Sequence, residues 1–253
     1  MGTPTISIIG TGNVAFQLGI AFQRSGIEIR DIWGRDSYKV KELSKVLSCQ
    51  NAGDIQSVSG DIIIVCVSDD AIKDVINQIN SSKFVAYTSG SFELSACGRI
   101  ANTGVFYPLQ TFTKEKDVSF EDIPVLIESQ SIDFEELLKE IAKKISQKVI
   151  SVNSQQRKLY HLSAVWINNF TNHMIFQAKS LAEENNLDWG ILEPLLEKTA
   201  LNLTNTDPYN SQTGPARRGD NSIIRSHEAS LTGIRKEMYS LISKSIDQTY
   251  NHD

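Results

Sequence analysis

Several things are scarce in this chain, and each scarcity excludes a class of protein. It has three cysteines, Cys49, Cys66 and Cys97, an odd number at wide spacing that supports neither a disulfide framework nor a CxxC metal site, so no metal is expected. No apolar run approaches the roughly 18 to 20 residues of a membrane span. The opening "MGTPTISIIG" also lacks a basic region followed by a long apolar core. A cytoplasmic protein without a membrane partner is the expectation. Positive charge is short as well: 25 Lys and Arg stand against 30 Asp and Glu, a formal net charge of -5, which argues against a nucleic-acid surface. What is present is ordinary: 40% hydrophobic and 22% charged residues in 253, enough for one large or two modest globular domains. A small-molecule partner is the natural inference.

The N-terminal half reads as a nucleotide cradle. A β-branched run, Thr5 to Ile9, leads into Gly10-Thr11-Gly12-Asn13-Val14-Ala15 and then into helical periodicity ending at Gly26. In this strand-turn-helix order Gly10 permits the tight turn, Gly12 admits a pyrophosphate to the backbone, and Ala15 lets helix and strand pack closely. Free N–H groups at the helix start favour phosphate. The second strand, Glu28 to Trp33, ends in Gly34 and Arg35 rather than an acidic residue. A guanidinium there pairs with a 2′-phosphate, so NADP is favoured over NAD. Asp36 reads as the N-cap of a helix over Ser37 to Leu47.

The run "DIIIVCV" (Asp61 to Val67) has the continuous apolar character of a strand buried on both faces. It delivers Val67 and Ser68 to the cofactor side of the sheet, with Asp70 as N-cap of the next helix or, alternatively, as one of a functional acid pair with Asp69. "FVAYTSGS" ends at Ser89, read either as a turn residue or as a hydrogen-bonding group near the nicotinamide. "GVFYPLQTF" (104 to 112), "IPVLIES" (123 to 129), the helix "SIDFEELLKEIAKKI" and the strand "KVISV" complete the pattern. Strands alternating with helices imply an α/β, doubly wound parallel sheet of Rossmann type, closing near residue 152, with an all-α domain from 153 to 253.

In that second part nothing interrupts helical periodicity from Gln155 to about Asn186, a length of roughly 48 Å. Apolar residues cover most of its circumference, as in a helix buried between layers or subunits, so a homodimer through the C-terminal helices is expected. One strip, His161, Asn168, Asn172 and Lys179, is polar. It either faces solvent or meets the cofactor. In the second case His161 is the proton donor, since imidazole titrates near neutrality, and Asn168 orients substrate. The polar stretch from Asn205 to Asp220, containing "TGPARRGD", reads as a long loop. Asp220 caps the following helix, while Arg218, with Thr213 near it, contacts an anionic substrate or a cofactor phosphate.

The motifs "IIGTGNVA", "VSDDAI", "TSGS", "YPLQTF", "YHLSAVWINNF" and "TGPARRGD" with His227 seven residues on together resemble one family through nearly the whole chain. It pairs a Rossmann-like domain with a C-terminal helical domain of unknown function and is labelled as NADP oxidoreductases. More distantly the chain is similar to pyrroline-5-carboxylate reductase and deazaflavin-dependent NADP reductase, and in its second part to 6-phosphogluconate dehydrogenase-like C-terminal domains. The resemblance implies a cleft between two domains, a dimer through the helical one, and substrate-side roles for Tyr107, Gln110 and His227. Tyr107 stands where the family usually has histidine, which shifts the acid–base role to His161. The expected function is NADP-dependent hydride transfer between nicotinamide and a small carbonyl, imine or hydroxy compound. The alternative is a non-catalytic NADP-binding redox sensor or scaffold, which the absence of a Lys four residues before an Asn favours.

Overall fold

The computed structural model describes residues 4–80, 82–98 and 102–251. The chain forms two compact units, Met1–Asn169 and Phe170–Asp253, so the first runs past the boundary at 152 expected from the sequence.

The first unit is built on an eight-stranded sheet in the order β3-β2-β1-β4-β5-β6-β7-β8. Its strands are β1 (Ile6–Ile9), β2 (Ile29–Trp33), β3 (Gln50–Asn51), β4 (Ile62–Val65), β5 (Phe84–Tyr87), β6 (Thr103–Pro108), β7 (Val125–Ser129) and β8 (Val149–Ser151). The helices are α1 (Asn13–Arg24), α2 (Ser37–Val46), α3 (Asp69–Ile76), α4 (Ile132–Lys143) and α5 (Ser154–Ala164). β1 and β4 pair in parallel, Ile6 opposite Ile62 and Ile9 opposite Val65. Both are buried along their whole length, because helices cover the two faces of a parallel sheet. One core packs Leu18 and Phe22 of α1 against Ile6, Ile8 and Ile64. The other packs Ile72 and Ile76 of α3 against Ile63 and Val65. The strand order reverses between β1 and β4, and a crevice opens there at the carboxyl ends of the strands.

The structure corrects several expectations. β6 and β7 pair antiparallel, Tyr107 opposite Leu126; no helix joins them, so no right-handed crossover is made and the chain returns directly. The connection is a strap laid over the start of α1. The Asn13 side-chain amide donates to the Phe112 carbonyl (2.9 Å), Gln17 to those of Thr113 and Lys116, and the Lys114 ammonium to that of Thr11 (3.0 Å). Asp70 is not a cap. Ser68 holds the N-cap position and Asp69 and Asp70 lie in the first turn of α3, where carboxylates meet the positive end of the helix dipole. Asp36 does cap α2, accepting from Lys39 N. The long helix starts at Ser154 behind an Asn153–Gln156 capping box. It is not a uniform α-helix either: Val165–Phe170 is π-helical. A π turn takes up an extra residue, so the 100° spacing that aligned His161 and Asn168 with Asn172 and Lys179 does not carry through it.

The second unit contains α6 (Thr171–Glu184), α7 (Glu193–Asn205), α8 (Pro208–Ser211), α9 (Pro215–Arg218), α10 (Asn221–Ala229) and α11 (Gly233–Asn251). Arg235 of α11 forms a bidentate pair with Glu184 of α6 (2.7 and 3.0 Å) and reaches Gln177. That pairing holds the Glu184 carboxyl down at about 2. The stretch expected as a loop holds two short helices, α8 and α9, with Pro208 and Pro215 at their first turns. Asp220 occupies the N-cap position of α10, but its side chain makes no cap bond and instead accepts from Arg218 Nε at 2.9 Å. Among the described residues of this unit only Ala182 and Ala216 are buried. No helix among the described residues is long and apolar enough to cross a membrane.

Candidate functional site

The crevice is a cleft of about 870 Å³ lined by the Gly10–Val14 turn, by Trp33 at the end of β2 and Gly34, Arg35, Asp36 and Lys39 beyond it, and by Val67, Ser68 and Thr88 beyond β4 and β5. The two turn glycines do different things. Gly10 has φ +123°, and a Cβ on it would stand 2.1 Å from the Cys66 carbonyl oxygen, so it is required by the fold itself. A Cβ on Gly12 would meet nothing within 4 Å; it would project into open space, where a ligand approaches. Ala15, in the first turn of α1, is fully buried and does not line the cleft. The start of α1 carries no side-chain cap and no acidic residue in its first turn, leaving its N–H groups to an anion. Arg35 is exposed and, among the described residues, pairs with no carboxylate. Lys39, one turn into α2, adds a second cation 3.6 Å from Asp36. This set fits an adenine dinucleotide with a 2′-phosphate: amides for the diphosphate and two cations for the extra phosphate.

Thr88 lines the cleft, and Gly90, two residues on, lies against the imidazole of His161. A Cβ on Gly90 would lie 2.7 Å from His161 Cγ and Nδ1, so glycine is needed for the ring to pack there. The Tyr107 hydroxyl meets His161 Nδ1 at 2.9 Å, and both residues are half-buried. Burial, reinforced by the charge of Asp69 and opposed by that of Arg157, pushes the Tyr107 phenol up to about 12. It therefore keeps its proton at neutrality, and a phenol donating to Nδ1 leaves the proton of a neutral imidazole on Nε2. Asn168 donates to Thr111 Oγ1 at 2.6 Å.

The remaining expected site residues fall elsewhere. The buried Ser89 hydroxyl oxygen accepts from Ser91 N and Phe92 N (3.0 and 2.9 Å), fixing the turn. Gln110 is exposed and accepts from the adjacent Thr111 N. Thr213 lines an apolar groove of about 300 Å³ in the second unit with Met174, Leu181 and Met238. Arg218 is held by Asp220, and His227 Nδ1 meets the Tyr239 hydroxyl at 2.8 Å. Among the described residues, no group of three or more His, Cys, Asp or Glu is placed to hold a metal ion.

Sequence reasoning missed Arg157. Its guanidinium is fully buried and pairs with Glu128, 29 positions away (Nε to Oε2, 3.0 Å). Nothing local in "SQQRKLY" marks it, since apart from Ser154 its partners come from other strands and turns.

Fold and cleft define a dinucleotide-binding protein with a Rossmann-like unit followed by a helical unit. The comparisons agree. Residues 5–87 match the family model "NADP oxidoreductase coenzyme F420-dependent", and residues 123–246 match a domain of unknown function, DUF2520. A solved structure titled "putative NADP oxidoreductase" from Bacteroides fragilis is 33% identical, with 97% of this chain and 98% of that chain covered and a TM-score of 0.87. The chain belongs to this family of NADP oxidoreductases, whose cofactor is NADP. A Thermotoga maritima protein shares the fold at 21% identity (96% and 97% covered, TM-score 0.74). So does a reductive aminase from Aspergillus terreus in complex with NADPH and ethyl-5-oxohexanoate, at 14% identity (98% and 95% covered, TM-score 0.71). No relative among curated proteins matches.

Proposed function

We propose that the protein is an NADP-dependent reductase acting on a small carbonyl, imine or hydroxy compound, with His161 as proton donor. The observation that carries this reading is the His161–Tyr107 pair, seated on Gly90 two residues beyond a side chain that lines the cleft. Bound NADPH supplies the hydride. The chain's residues do the rest. The Gly10–Val14 turn and the start of α1 hold the diphosphate, and Arg35 with Lys39 holds the 2′-phosphate. In its protonated form His161 delivers the Nε2 proton to the heteroatom of the substrate and is left neutral, while the contact of Nδ1 with the Tyr107 hydroxyl fixes the ring. Asn168, tied to Thr111, orients substrate.

The same reading makes the protein a cytoplasmic homodimer through its helical unit. With only two alanines buried among its described residues, this unit leaves Leu195 and Leu241 65% and 70% exposed, and a second copy covers such side chains at a gain of about 1 to 2 kcal/mol each. The test of the function is NADPH consumption against a panel of imines, keto acids, ketones and aldehydes. Consumption with one class supports it. Tight NADPH binding without consumption across the panel supports the sensor instead.

A further inference from the structure

We propose that Arg157 is the positioning residue of the His161–Tyr107 pair, an inference that rests on the reading of His161 as proton donor. Its guanidinium ties three segments together. Nε donates to Glu128 Oε2 at the end of β7 (3.0 Å). Nη1 donates to the Ser89 carbonyl (2.8 Å), and Nη2 to the Phe92 carbonyl (2.8 Å), with longer contacts to the Tyr87 hydroxyl (3.5 Å) and Ser154 Oγ (3.4 Å). Ser154 in turn donates to the other Glu128 oxygen at 2.5 Å, so the start of α5 is closed onto the same carboxylate.

The two carbonyls it holds bracket Gly90, the residue under the His161 ring. Arg157 also lies one turn before His161 on the same face of α5. One side chain therefore sets both the helix that carries the imidazole and the turn that the imidazole packs on. Tyr107 reaches the ring from β6, which pairs with β5. A fully buried cation is an unusual way to staple a turn, because an apolar residue of similar volume is often at least as stabilising. The planar fork is suited to several acceptors fixed at once, which an ammonium cannot reproduce.

The test uses the full-length chain with ¹⁵N-labelled histidine. Long-range ¹H–¹⁵N spectra report the tautomer of the His161 ring, with His161→Gln and Tyr107→Phe as references. Arg157→Lys should shift the ring from one neutral tautomer toward the averaged pattern of Tyr107→Phe. On any substrate found, it should lower kcat by about 10²-fold, the cost of a misplacement near 1 Å, with NADPH affinity unchanged. Glu128→Gln should do the same in part, and it carries the test if Arg157→Lys does not fold. A merely structural Arg157 predicts a lower Tm with a wild-type ring spectrum, and that result overturns the proposal while leaving the role of His161 standing. Conversely, an altered spectrum in Arg157→Lys together with full activity in His161→Ala supports the positioning and overturns the role of His161.

Discussion

The two glycines of the phosphate turn separate folding from binding, and alanine at each should give opposite results. At Gly10 an added Cβ lies 2.1 Å from the Cys66 oxygen and 2.8 Å from its carbon, with φ at +123°, a region closed to alanine. Relief requires β1 and the strand end at Cys66 to part, although Cys66 N donates to Ile9 O at 2.7 Å. The backbone strain costs about 1 to 3 kcal/mol, and the lost packing about as much again. Gly10→Ala should thus lower Tm by roughly 4 to 24 °C, at about 2 to 4 °C per kcal/mol for a chain of this size. At Gly12, φ is -79° and the space is open, so Ala meets no clash and costs about 0.5 to 1.5 kcal/mol as a poorer N-cap. Its methyl, however, occupies the approach of the diphosphate. Thermal melts and NADPH fluorescence titration on both variants decide the matter. Gly12→Ala should melt within about 1 to 6 °C of wild type and bind NADPH at least about 10-fold more weakly, the equivalent of 1.4 kcal/mol. Wild-type affinity in Gly12→Ala would refute the assignment of this turn as the phosphate site.

Three further outcomes are expected. Arg35→Ala should weaken NADPH by about 10- to 100-fold, the value of a charged hydrogen bond of about 1.5 to 3 kcal/mol, and leave NADH affinity unchanged; equal losses for both would contradict the 2′-phosphate role. Because the folded Tyr107 phenol is raised to about 12 from an ordinary value near 10, its contribution to stability is complete below pH about 10 and is lost as pH rises through 12. Urea midpoints of wild type should accordingly fall toward those of Tyr107→Phe across that window, and parallel curves would refute it. Leu241→Glu should convert a dimer to monomer in sedimentation velocity; an unchanged sedimentation coefficient would remove α11 from the interface.

Legibility in the sequence followed the range of the interactions. The Gly10 to Ala15 turn, the cap at Asp36 and the apolar strands β1 and β4 each carry a mark within a few residues, a glycine spacing, a capping side chain or an unbroken apolar run, so the local pattern reveals them. β3 is two exposed residues, Gln50 and Asn51, too short to alternate. The antiparallel return of β7 depends on the strap folding over α1 through Asn13 and Gln17, side chains whose partners lie almost a hundred positions away. Arg157 and Glu128 are equally remote from each other. Asp31 is another such case: a strand residue whose buried carboxylate takes the Ser59 N–H (3.0 Å) and hydroxyl (2.6 Å), a tie that no pattern in "EIRDIW" announces. In "TGPARRGD" the error was local. Asp220 has the right residue type and position for a cap, yet Arg218 two residues earlier competes for its carboxylate and wins.

Replacement of His161 by alanine tests its role as proton donor most directly. With a substrate identified from the panel, His161→Ala should lower kcat by roughly 10²- to 10⁴-fold, the worth of general acid catalysis, while the dissociation constant for NADPH stays at the wild-type value. Turnover by His161→Ala at the wild-type rate would contradict it.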